Sequence, residues 1–214
     1  MTNFKAGGLL VNPLRGYIVR TEMTMPNDYV LWPELSYIRE LRPLEDQGKM
    51  QACSAYATCA DIQAEYWLAH GTPKDFDELA LYAEAKKQDR MDGEGTTLEA
   101  TVWSAKTLGY VKDIASITEV RTRYELKWAI AQRRHVICGF HIHAGWNDVN
   151  EDGKIRDGGE SIGGHAVNAC AYNPDGVVVA NSWGKQWGIN GFGELSWESF
   201  DIQYLYGLTV EWKL

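Results

Sequence analysis

Three residue types that cooperate in thiol chemistry stand at separated places in this chain. The first is Cys53, in the stretch Asp46-Gln47-Gly48-Lys49-Met50-Gln51-Ala52-Cys53-Ser54-Ala55-Tyr56. A polar, glycine-bearing loop runs there into a helical pattern. The first turn of a helix carries unpaired N–H groups and about half a positive charge, which pulls a thiol toward the nucleophilic thiolate. Gln47 lies upstream in the same loop, with a side-chain amide that can donate over the same spot. Alone, Cys53 can equally be read as one more buried helix cysteine.

The second and third residues are His165 and Asn181. Ala166–Tyr172 and Val177–Asn181 flank Asn173-Pro174-Asp175-Gly176, a strong turn signal, and so form a hairpin. A tight hairpin sets the start of one strand opposite the end of the next, so His165 and Asn181 can face each other across it. An imidazole oriented by a neutral amide, brought to a thiol, has the nucleophile–base–orienter logic of a Cys-His-Asn site.

The elements that must position these groups follow from periodicity. Ala55, Cys59, Ile62 and Tyr66 mark one face of a long central helix stopped by Gly71 and Pro73. A second helix is expected over 75–88, with Phe76, Leu79, Tyr82 and Ala83 on its apolar face. Thr96-Thr97-Leu98-Glu99 reads as a capping box opening a third, which closes at Gly109. Thr122-Arg123-Tyr124-Glu125 opens a fourth, running to about Arg134. From residue 135 the period becomes two, with Val136, Cys138, Phe140 and Ile142 on one face and His135, His141 and His143 on the other. The C-terminal third reads as strand and turn throughout. Residues 1–27 lack a period and form an arm, and 28–214 form one domain.

Composition excludes several classes. At 214 residues, 45% apolar and 23% charged, the chain can bury a good core. A formal charge of −8 argues against nucleic acid or an anionic membrane as the main partner. No apolar run approaches the ~18 residues of a membrane span, and no signal-peptide core is seen at the start. Cys53, Cys59, Cys138 and Cys170 are spaced without clustering, which fits free thiols in a reducing, cytoplasmic setting. The histidine set at 135, 141 and 143 is better read as a half-exposed strand than as a metal site. Asp148, Asn150 and Asp152 match the early ligands of a calcium loop, carried as a side reading. The bidentate Glu of loop position twelve is missing, and Gly159 stands there.

At these residues the chain resembles the papain-like cysteine proteases. Three segments carry the resemblance in the family's order. They are Gln47-Gly48 with Cys53-Ser54-Ala55-Tyr56, then Gly164-His165-Ala166-Val167, then Asn181-Ser182-Trp183-Gly184 with Trp187-Gly188 and Gly191-Phe192. The resemblance implies an α+β, two-lobed fold, with a helical left lobe, a β-barrel-like right lobe and a cleft between them. It implies Cys53 as nucleophile, His165 as base and acid, and Asn181 as orienter of the imidazole. Gln47 and the Cys53 N–H would form the oxyanion hole. Gly95 and Gly164 would border the substrate, and Trp183 would shield the His165–Asn181 bond. A peptide or protein would be the substrate, with no cofactor and no metal. The ion pair and the helix start should hold the thiol well below about 8.5.

Three positions depart from the family pattern. Met50 stands where the local signature has a cysteine, Ser54 where it has an aromatic, and Glu94 where a second substrate-site glycine is expected. Gln51-Ala52-Cys53 begins like the caspase signature, but no histidine lies upstream, so that order is rejected. Two alternatives remain: a catalytically silent papain-like binding or structural protein, and a Cys-His amidase acting on cell-wall or isopeptide bonds.

Overall fold

The computed structural model describes Leu9, residues 35–36, Leu41 and residues 44–132, 135–149 and 151–214. In chain order the elements are β1 (Leu35–Ser36), α1 (Cys53–His70), α2 (Glu78–Asp89), α3 (Leu98–Thr107) and β2 (Asp113–Val120). After these come α4 (Arg123–Ala131), β3 (Val136–His143), a 3-10 turn (Ala144–Asp148), β4 (Ser161–Tyr172), β5 (Gly176–Ala180), β6 (Phe192–Ser196), α5 (Trp197–Gln203) and β7 (Tyr204–Lys213). Apart from Leu9, the arm expected over 1–27 lies outside the described residues.

The local signals act as elementary chemistry requires. Gly71 ends α1 in the left-handed conformation, φ 70°, and its N–H returns to the Trp67 carbonyl, satisfying an otherwise orphaned acceptor. Thr122 and Glu125 close a full capping box at α4, which ends at Ala131. At α3 the cap is Thr97, which accepts from the Ala100 N–H. Glu99 does not close that box. It is buried, and its carboxylate accepts from the Tyr206 hydroxyl instead. Helix α2 starts late, at an Asp77 cap, and buries Leu81 and Ala85 while Leu79 is exposed. The apolar face expected there was therefore misplaced, because Phe76 packs ahead of the helix rather than within it.

The sheet runs β2-β7-β3-β4-β5-β6, all antiparallel, with β1 also paired to β4. Strand alternation divides the core. Val136, Cys138, Phe140 and Ile142 point into one cluster with α4 and α5 residues such as Leu126, Ile130 and Phe200. Ile137, Ala166, Tyr206 and Leu208 point the other way, into a cluster with Cys53, Ala55, Cys59, Ile62 and Leu98. Strand β3 is thus buried on both faces from Val136 to Phe140, and only its end is open. The half-exposed strand expected there is corrected accordingly. Two elements were unforeseen, strand β2 and the short helix α5, so the C-terminal third is not strand and turn alone. All four cysteines are buried, and none of them forms a disulfide.

Candidate active site

Cys53 is the first residue of α1, after Ala52 whose side chain offers no cap. Its side chain is fully buried, in the seam where α1 packs on β4. Ala166, the residue after His165, lies in the same cluster. Burial pushes the thiol up to about 11, outweighing the hydrogen bonds of the Ala166 and Ser54 backbone that pull it down. The depressed thiol expected from the sequence is therefore not found, because desolvation exceeds the helix-terminus effect.

His165 sits inside β4, opposite Phe140 of β3, rather than ahead of the strand. Its Nε2 is 2.8 Å from Asn181 Oδ1. The Ser182 N–H donates to the same oxygen at 2.8 Å, which fixes the amide's orientation. A carbonyl oxygen only accepts, so Nε2 carries the proton and Nδ1 holds the open lone pair. That Nδ1 is buried without a hydrogen-bond partner among the described residues. Burial brings the imidazole down to about 4, against the opposing pull of Asn181.

An indole wall surrounds this pair. Trp183 lies 4.7 Å from the His165 ring, tilted by 31°, and Trp146 meets it edge-on at 6.0 Å. Trp187 stacks on Trp146 at 6.2 Å and donates its indole N–H to the Trp146 carbonyl. Trp146 has no part in the sequence motifs, and the run of apolar and turn residues around it gave no signal of this placement.

Gln47 is buried beside the same hairpin end. Its N–H donates to the Ser182 carbonyl at 2.8 Å, and Asp46 bridges Trp183. Its Oε1 accepts from the Ser182 hydroxyl at 2.5 Å, and its Nε2 donates to the Met50 carbonyl at 2.6 Å. An amide nitrogen has two hydrogens, so one remains for a further acceptor. Ser182 was missed as a site residue, although it stands inside the quoted Asn181-Ser182-Trp183 motif.

The other sequence candidates fall around this centre. Ser54 is fully buried and donates to the Thr96 carbonyl at 3.1 Å, tying the start of α1 to the residue after Gly95. Gly95 is buried, with its carbonyl held by Lys86 Nζ at 2.9 Å. The Tyr82 hydroxyl donates to the Glu94 carbonyl, fixing the same loop. The Gly164 carbonyl accepts from the Leu9 N–H at 3.4 Å. Met50 is exposed at the loop's edge.

The calcium reading finds no support. Asp152 is taken up by an ion pair with Arg156 at 2.5 Å and by the Lys154 N–H, and Asn150 lies outside the described residues. Among the described residues no group of three or more His, Cys, Asp or Glu could hold a metal ion. No helix among them is long and apolar enough to cross a membrane.

No family model matches the chain. An uncharacterized peptidase C1-like protein of Acanthamoeba polyphaga mimivirus is 31% identical over 111 residues, which is 48% of this chain and 33% of that protein. The chain thus spans about a third of that curated relative's length. Among solved structures, xylellain, a cysteine protease from Xylella fastidiosa, superposes with a TM-score of 0.74 at 17% identity. That match covers 100% of this chain and 99% of xylellain. A procathepsin B from Trypanosoma congolense gives 0.73 at 15% identity, covering 96% and 86%. A Carica candamarcensis cysteine protease, solved in complex with E-64, gives 0.67 at 14% identity, covering 85% and 99%. The helices over one face of the sheet, the seam between them and these superpositions agree: the chain has the papain-like cysteine protease fold.

Proposed function

We propose that this protein is a cysteine peptidase that cleaves peptide or protein substrates through a thioester intermediate at Cys53. The observation that supports the reading is the His165 Nε2 to Asn181 Oδ1 bond, which leaves Nδ1 without a hydrogen-bond partner one residue before Ala166, itself packed in the cluster that holds Cys53. Neither the metal nor the cofactor route is needed for this chemistry.

In this reading the Cys53 thiol passes its proton to His165 Nδ1, and the thiolate attacks the scissile carbonyl carbon. The free Nε2 hydrogen of Gln47 and the Cys53 N–H hold the developing oxyanion. His165 then gives its proton to the leaving amine as the C–N bond breaks. Water, deprotonated by His165, attacks the thioester and releases the acid with the thiol regenerated. Asn181 keeps the imidazole in the tautomer this cycle needs, and the indoles of Trp183 and Trp146 exclude water from that bond. Gly95 and Gly164 border the substrate. Four buried cysteines without a disulfide suit a reducing, cytoplasmic setting.

The second reading is a catalytically silent papain-like protein, favoured by the full burial of Cys53 and its raised pKa. An E-64-type epoxide followed by mass mapping separates the two. Preferential alkylation of Cys53, lost in His165→Ala, is the expected result. Labelling no faster than a free thiol in solution would assign the silent role.

A further inference from the structure

Trp146, which stands edge-on to the His165 ring, belongs to a 3-10 turn of five residues. So short a turn has few bonds of its own to fix a side chain. The fixing comes from outside. The Trp146 indole N–H donates to Gln203 Oε1 at 2.8 Å, and both residues are buried. An indole nitrogen can only donate, so a buried one depends on finding such an acceptor. Gln203 is the last residue of α5. Its Nε2 donates to Asp157 Oδ1 at 3.5 Å, and the same oxygen accepts from the Ser199 hydroxyl. The Trp146 carbonyl accepts from Trp187 at 2.7 Å, so Trp146 is tied at both its backbone and its ring.

The surroundings hold this brace in place. Phe200, three residues before Gln203 and on the same side of α5, meets Phe140 at 5.7 Å. Phe140 meets Trp146 at 5.7 Å and is the partner of His165 across β3 and β4. Behind the turn there is no slack. The Gly145 N–H donates to the Gly158 carbonyl at 3.1 Å, and a Cβ on Gly145 would lie 2.2 Å from the Arg156 carbonyl oxygen. The groups in contact with the imidazole are the rings of Trp146 and Trp183 and the amide of Asn181, none of them charged. The titratable group at the start of α1 is Cys53, and the charged group of the brace is Asp157.

Resting on the peptidase reading, we infer that Gln203 is a positioning residue for His165, acting through the Trp146 indole. With its acceptor in place, the ring stands against the imidazole and keeps water from the His165–Asn181 bond. Without that acceptor the buried N–H is left unpaired and must turn toward water or another group. The imidazole then gains solvent and freedom to rotate. Burial is what holds its titration down at about 4, so hydration moves it back toward 6.5.

The test uses the full chain as the parent, Gln203→Met, Trp146→Phe and the double variant, with Ser199→Ala as control, each checked by thermal melt. Histidine C2–H resonances are titrated by NMR, with that of His165 assigned by its loss in His165→Gln. Gln203→Met keeps the side-chain length and removes the acceptor, and should raise the His165 midpoint by about one pH unit. It should also lower kcat about tenfold with KM unchanged, since Gln203 is buried behind the indole. Trp146→Phe should do the same, and the double variant no more than either, because the two residues act as one unit. Ser199→Ala removes a partner of Asp157 but leaves the Trp146 bond, so it should lower the melting temperature alone. A Gln203→Met form that melts lower yet keeps the parent's midpoint and kcat overturns the positioning role and leaves the peptidase reading intact. Where Gln203→Met fails to fold, a parent-like midpoint in Trp146→Phe overturns it equally. Iodoacetamide labelling of the parent's Cys53 no faster than a free thiol overturns the peptidase reading, and the effect on turnover with it.

Discussion

The Ser182 hydroxyl donates to Gln47 Oε1 across 2.5 Å, joining residues 135 positions apart in sequence. With Oε1 held by Ser182, Nε2 of the Gln47 amide donates to the Met50 carbonyl in the loop before Cys53. Ser182→Ala should free the amide to rotate and lower kcat about tenfold with little change in KM. Gln47→Ala, which removes the donor itself, should cost about 10²–10³ in kcat. Steady-state kinetics on one peptide, with both variants side by side, distinguishes orientation from donation. A Ser182→Ala loss as large as that of Gln47→Ala would contradict the positioning role.

Stability should fall on acidification through His165. Its folded pKa lies below the ordinary 6.5, at about 4, so the folded state favours the neutral ring. The contribution is complete above pH 6.5 and is lost as pH falls toward 4, by about 3 kcal/mol at the limit. Glu78 works in the opposite sense. Burial and the neighbouring Asp75, Glu45 and Asp77 carboxylates push it up to about 7, so its contribution is lost as pH rises from 4.5 to 7. Comparing urea unfolding of the parent and His165→Gln at pH 7 and pH 4.5 cancels Glu78. The parent should lose more stability than the variant between those two points.

Ser54 decides what can stand beside Cys53. It is fully buried with its hydroxyl on the Thr96 carbonyl, so the aromatic of the family signature has no space there. Ser54→Trp should destabilise by about 3 kcal/mol or more through overpacking. Ser54→Ala should cost about 1 kcal/mol, the worth of one buried hydrogen bond. Chemical denaturation with an unchanged m-value would establish both figures.

Asp61 anchors β7 to α1 from inside the core. Its carboxylate accepts from Trp212 Nε1 at 2.7 Å, and Asn168 of β4 reaches it at 3.5 Å. Trp212→Phe keeps the ring and removes the donor, and should cost about 1–3 kcal/mol in stability. The measurement is the shift in urea midpoint, and no shift would mean another group takes over the donor's place.

Local chemistry made much of this readable in advance. The Asn173-Pro174-Asp175-Gly176 turn sets the register that brings His165 to Asn181, and Thr122 with Glu125 specifies its helix unaided. What escaped depends on partners distant in sequence. Strand β2 is half-buried along most of its length, without clean alternation, and is defined by β7. Helix α5 spans only seven residues, too few to show a period. Glu99 looked like a cap residue because Tyr206, its real partner, lies 107 positions away. The shifts at Cys53 and His165 follow from burial, which residue spacing does not report.

The position of β7 between β2 and β3 has a consequence for synthesis. Both neighbours are made well before it, and each offers an unpaired edge until residues 204–213 arrive. At about 5–20 residues per second, β3 waits several seconds for its second partner. During that interval its Val136-Ile137-Cys138 edge can pair with another nascent chain. Slower translation after β3 lengthens that interval and should lower the yield of folded chain in the cell.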